Sequence, residues 1–182
     1  MKVVLLSIFV FASLLAQVQG ATDQHKVTIS IPSVAILDLE SASSKDLTAS
    51  FTAPSEPGLP IVAPADLASI WLNYTSVILP TNAVRKVSVN ISAGALTGIV
   101  LKVSAGAAST TLGKGTLGTG LSAITLSSTA ADIVTGIGST YTGDGVSAGH
   151  LLTYNLTLDD TAVANLRQGS QEVTVLYTMS GD

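Results

Sequence analysis

Two histidines, a few carboxylates and a sparse set of aromatic rings are the side chains in this sequence able to do chemistry, and their spacing decides which chemistry is open. His150 follows a glycine-rich loop carrying Asp144, so it forms a close histidine–carboxylate pair, whereas His25 has only Asp23 within five residues. A secreted hydrolase built on His150 would need a serine and an aspartate within hydrogen-bond reach; serines abound, but no Gly-x-Ser-x-Gly elbow occurs. Zinc would need several converging His, Cys or carboxylate ligands. Calcium needs about six to eight oxygens, and the loop over residues 140–149 is the first place to look for it, although no loop has the aspartate spacing of a calcium motif. No metal or cofactor is therefore assigned, and calcium is kept for that loop alone.

Asp38 and Glu40 would share one face of a strand, where a pair of carboxylates could act as acid and base across a cleft. Their neighbours Ile36, Leu37 and Leu39 point instead to the solvent side of a strand. Asp159 and Asp160 follow a strand end, where aspartate serves turns and caps. Gly113, Gly115 and Gly118 match G-x-G-x-x-G, but a phosphate site also needs a helix directly after the glycines. Here the run leads towards a short strand at residues 123–127, so it is read as a flexible hairpin connection.

Among the rings, Trp71 is the lone tryptophan, in Ile70-Trp71-Leu72-Asn73-Tyr74. Alternation puts either Trp71 or Tyr74 outside. A core or interface anchor is the first reading of Trp71. The competing one is a carbohydrate-binding module, with Trp71 or Tyr141 exposed beside Asn or Asp; its candidate ligand residues are Trp71, Tyr141, Asp144 and His150. Asn73, Asn90 and Asn155 open N-x-S/T triplets, all inside expected strands.

The elements that must position these residues are strands. Val27, Ile29 and Ile31 alternate with Thr28 and Ser30, and the pattern recurs at residues 87–92, 99–104, 152–158 and 173–177. Further strands are expected near residues 34–40, 47–51, 69–78 and 123–127, separated by Gly and Pro turns. Residues 129–134 and 160–166 read as single helical turns between strands. Residues 52–68, with prolines at 54, 57, 60 and 64, read as an ordered surface loop. The expected fold is all-β: an immunoglobulin-like or jelly-roll antiparallel β-sandwich of about nine strands.

Composition sets the class. The 182 residues are 47% hydrophobic and 11% charged, with no cysteine and a net charge of −4, and the mean hydropathy is +0.54. Disorder wants the opposite balance, and a nucleic-acid partner wants a basic face. Lys2, an apolar run at residues 3–15 and small residues before Ala21 are read as a secretory signal peptide over residues 1–20. That run is too short for a membrane span, which needs about twenty apolar residues. Residues 21–182 are then a single domain, long enough to bury about 70% of its unfolded surface. The expected location is secreted, periplasmic or cell-surface. No membrane span is expected after the leader.

The strings Val27-Thr28-Ile29-Ser30-Ile31-Pro32, Ile70-Trp71-Leu72-Asn73-Tyr74-Thr75-Ser76, Arg85-Lys86-Val87-Ser88-Val89 and Val173-Thr174-Val175-Leu176-Tyr177-Thr178 resemble small exported bacterial β-sandwich proteins of surface or fimbrial type, such as those of the Bacteroidetes. Subunits of chaperone–usher fimbriae are similar in their leader, Ser/Thr/Gly-rich strands and tyrosine-bearing last strand. They commonly carry a disulfide and a penultimate tyrosine; this chain has no cysteine, and Tyr177 lies farther from the end. Wall-associated WxL domains share only the Trp71-Leu72 flavour. The resemblance implies a non-enzymatic structural or adhesive surface protein, associating with itself or other surface proteins through sheet edges, and transfers no site residue. Residues 26–31, followed by Pro32, are the best candidate for a donated or edge strand; an ordinary first strand is the plainer alternative.

Overall fold

The computed structural model describes residues 22–81 and 84–180. The expected leader lies outside the described residues. Residues 22–31 belong to one unit and Pro32 onwards to a second. Among the first unit's described residues, 22–31, no strand forms and every residue is exposed. The strand expected at residues 26–31 is therefore absent as a paired element: Val27, Ile29 and Ile31 are 70, 80 and 75% exposed. Alternation alone supplies an apolar face but no ladder partner, and a lone strand has nothing to satisfy its backbone except water.

The second unit is all-β, with nine strands among the described residues: β1 (Val34–Ser41), β2 (Leu67–Val77), β3 (Arg85–Gly94), β4 (Ile99–Ala105), β5 (Lys114–Gly120), β6 (Ile124–Thr125), β7 (Ala131–Tyr141), β8 (His150–Leu158) and β9 (Val173–Met179). Every pairing is antiparallel. β2 is the strand that joins two arms. One of its edges carries β1 along residues 70–77. The start of β2 pairs with β8, and Thr75 and Ser76 near its end pair with β7. One arm continues as β8-β4-β6 and the other as β7-β3-β9, with β5 on the far side of β7.

Both arms face a single core. Ile70, Leu72, Leu101, Val103, Leu152 and Tyr154 from the first arm pack in one cluster with Val87, Val89, Ile133, Val134, Ile137 and Tyr177 from the second. The hydroxyls of Tyr154 and Tyr177 meet across the middle at 2.8 Å. Two antiparallel layers around one apolar interior make this a β-sandwich, held without any disulfide. No helix among the described residues is long and apolar enough to cross a membrane.

Two strands depart from the sequence reading. The expected helical turn at residues 129–134 is instead the start of β7, a central eleven-residue strand. Its apolar residues fall at 133, 134 and 137 because the β3–β7 register slips between Val87 and Ser88, turning Ile133 and Val134 both inward. Such a bulge breaks period-two spacing. The expected connection at residues 113–120 is β5, and its glycines serve close backbone approach. A Cβ on Gly115, at φ +89°, would stand 2.3 Å from Ser139 O on β7. No helix follows these glycines, so the phosphate geometry is absent. At 47–51 no strand forms; Leu47 packs on the core without a ladder. The proline-rich loop is ordered as expected, closed by reciprocal backbone bonds between Thr52 and Val62 at 3.0 and 2.9 Å. Of the other expected turn, only a 3-10 turn at Val163–Asn165 forms, without a side-chain cap.

Candidate functional site

The register of β2 sorts the singled-out residues onto two faces. Ile70, Leu72 and Tyr74 point into the core, so Trp71, Asn73 and Thr75 point out. On β1, Glu40 stands opposite Trp71, Asp38 opposite Asn73 and Ile36 opposite Thr75. On β7, Tyr141 stands opposite Thr75. One outer face therefore carries Trp71, Tyr141, Asp38 and Glu40 together. Trp71 and Thr75 are four residues apart, so the two rings stand at opposite ends of a stretch of about 13 Å. Trp71 is partly exposed, and the core-anchor reading of this residue is corrected: the inward positions beside it are taken by Ile70 and Leu72.

The segment after β7 closes over this face. Thr142, fully buried, continues the pairing: its N–H donates to Tyr74 O at 3.0 Å and its Oγ1 accepts from the Tyr74 N–H at 2.9 Å. Asn73 Nδ2 donates to Gly145 O at 2.8 Å, which latches the loop to β2. At the loop's end, Gly149 has φ +62°, and a Cβ there would lie 2.1 Å from Leu72 O. Only glycine fits. The result is a shallow concavity of about 390 Å³ whose wall includes Ile36, Asp38, Thr75, Tyr141 and Asp144. Tyr141 is 50% exposed at its rim. Asp38 Oδ1 accepts from Lys45 Nζ at 3.1 Å and from the Leu39 N–H at 2.7 Å. Those two donors hold its carboxyl below the usual carboxylate range.

His150 lies on the other side of the sheet. It stands opposite Leu72 in the β2–β8 ladder and is fully buried. Nδ1 is 2.7 Å from Gly106 O, and a carbonyl only accepts, so the neutral ring carries its proton there. The Tyr74 hydroxyl donates to Leu117 O, and His150 Nε2 lies 2.8 Å from the same hydroxyl oxygen. The two rings stack at 5.7 Å and 23°. Burial pushes the imidazole below its ordinary pKa and the Tyr74 phenol above its own. This is a structural network, sealed from solvent. Among the described residues, His150 hydrogen-bonds to neither a serine hydroxyl nor a carboxylate, so the arrangement that a hydrolase would need is not assembled around it there.

Of the four residues singled out for a ligand, the fold thus brings Tyr141 and Asp144 to one concavity, sets Trp71 farther along the same face and removes His150 to the interior. Asp38 and Asn73 belong to the site for a reason that spacing within one segment does not carry: they reach it through the β1–β2 register. No cluster of three or more His, Cys, Asp or Glu stands together among the described residues. In the loop over 140–149 the one carboxylate is Asp144. Comparison with family models, with curated protein sequences and with solved structures returns no match.

Proposed function

We propose that the protein is an exported surface component without enzymatic activity, a structural or adhesive subunit that associates by β-strand addition, with residues 26–31 of one copy pairing along a sheet edge of another. The observation that carries this reading is the state of Val27, Ile29 and Ile31: three alternating apolar side chains, each at least 70% exposed, on a segment with no ladder of its own. Pro32, which has no N–H to give a ladder, ends the segment cleanly.

The sandwich also has an edge suited to receive it. Among the described residues, β1 pairs only with β2, and β9 only with β3. β1 and β9 neighbour one another without exchanging a ladder. The apolar side chains they turn towards the core, Leu37, Leu39, Val173, Val175 and Met179, are only partly buried. An added strand supplies backbone partners to such an edge and apolar side chains to such a core, which is the energetic logic of strand addition.

The test uses protein recovered from the envelope or medium of an expressing bacterium, with N-terminal sequencing to locate the leader cleavage. Size-exclusion chromatography and electron microscopy are expected to show oligomers or fibres that a synthetic peptide of residues 23–32 disperses. A monomer that fails to bind this peptide overturns the reading.

A further inference from the structure

We infer that the outer face of β1 and β2 is a binding site for an uncharged oligosaccharide, a different surface from the backbone edges of β1 and β9 proposed above for assembly. The strand register gathers two aromatic rings and several hydroxyl-reading groups there. Tyr141 is half exposed at the rim of the concavity, and Trp71, partly exposed, lies about 13 Å along β2. An exposed ring is a flat apolar surface that matches the C–H face of a pyranose. Two such rings in line along a strand suit a chain of sugars rather than one.

Between and beside the rings stand groups that read hydroxyls. Asp38 Oδ1 accepts from Lys45 and from the Leu39 N–H, and its carboxyl also interacts with the Glu40 side chain. Asp144, exposed on the opposite wall, forms no ion pair among the described residues. Carboxylates only accept hydrogen bonds, and sugar hydroxyls donate them. Thr75, exposed between Ile36 and Tyr141, adds a hydroxyl that does both.

The platform is held in shape before any ligand arrives. The Asn73–Gly145 bond, the Thr142–Tyr74 pairing and the glycine required at 149 fix the wall that carries Asp144, so little ordering cost remains for binding. Charge selects among sugars: Asp38, Glu40 and Asp144 against Lys45 leave the face negative, which disfavours uronate or sulfate polymers.

Affinity electrophoresis of the exported protein through gels containing laminarin, mannan, xyloglucan or soluble starch tests this, with alginate and immobilised polylysine as contrasts. Retardation by at least one neutral polymer is expected, and none by alginate. Tyr141→Ala is expected to weaken that binding about tenfold or more, Tyr141→Phe to retain it, and Leu176→Ala on β9 to leave it unchanged. Trp71 emission titrated with the retarding polymer in the unmutated protein gives a second readout that does not depend on how any variant folds; a saturable change is expected. Ile29→Asp, which removes the assembly segment's apolar face, is expected to keep sugar binding, so failure of assembly and failure of this site are separable. No retardation by any neutral polymer, retention by alginate or polylysine alone, or undiminished binding by Tyr141→Ala would overturn the inference.

Discussion

Residues 27–31 and β1 are neighbouring segments, each rich in β-branched and other apolar side chains, yet they end in opposite states. Val27, Ile29 and Ile31 stay in solvent, whereas β1 pairs with β2 over all eight of its residues and tucks Leu37 and Leu39 against the core. Composition does not separate them. What separates them is partnership. β1 meets a strand whose inward side chains are fixed, and Arg85 anchors its start by donating to Val34 O and to Ser33 Oγ, the latter at 3.0 Å. The difference teaches that alternation specifies a face to be buried, and that a ladder and a surface to bury it on must come from elsewhere in the chain or from another chain.

The comparison can be pressed first on the strand that seats β1. Leu72, fully buried opposite Leu39, should cost about 3 kcal/mol or more on truncation to alanine. Denaturant unfolding measures this, and a loss under about 1 kcal/mol would mean that the core beneath β1 is softer than its packing implies. Gly149→Ala comes next, at about 2 kcal/mol, because its Cβ would meet Leu72 O and its backbone is left-handed. The same unfolding experiment reads it.

A milder loss is expected on acidification. Burial holds the His150 imidazole below its ordinary pKa, so the unfolded chain binds a proton that the folded one refuses. Its contribution is complete above the unfolded value of about 6.5 and is lost as pH falls from there through the folded-state value. His150→Gln should flatten that part of the stability profile below about pH 6.5; an unchanged slope would place the titration elsewhere. Smallest of all is Ile29→Ala, expected to shift folding stability by less than about 0.5 kcal/mol, against about 1 kcal/mol for the half-buried Leu39→Ala. Equal effects at the two positions would erase the distinction between the segments.

How much of this was legible in the sequence follows the same line. β3, β4, β8 and β9 were readable from their alternation, and β1 and β2 from apolar stretches bounded by turn residues. β7 was not, since its bulge sends Ile133 and Val134 inward together and gives helix-like spacing. β5 was hidden by glycines that look like a loop until their contact with β7 is known. For the site, Tyr141 and Asp144 lie three residues apart and were singled out together. His150 was drawn in by that proximity, but strand parity turns it to the interior while Asp144 stays on the loop outside. Asp38 and Asn73 could be joined to the site only through a register between distant segments, which no local pattern encodes.

Amide hydrogen exchange on assembled protein tests directly whether residues 26–31 are a strand in search of a partner. In oligomers or fibres isolated from the exporting cell, the amides of residues 27–31 are expected to be protected strongly and to lose that protection when peptide 23–32 disperses the assembly. Exchange of those amides at the rate of an unstructured chain, within assemblies that otherwise persist, would contradict the account.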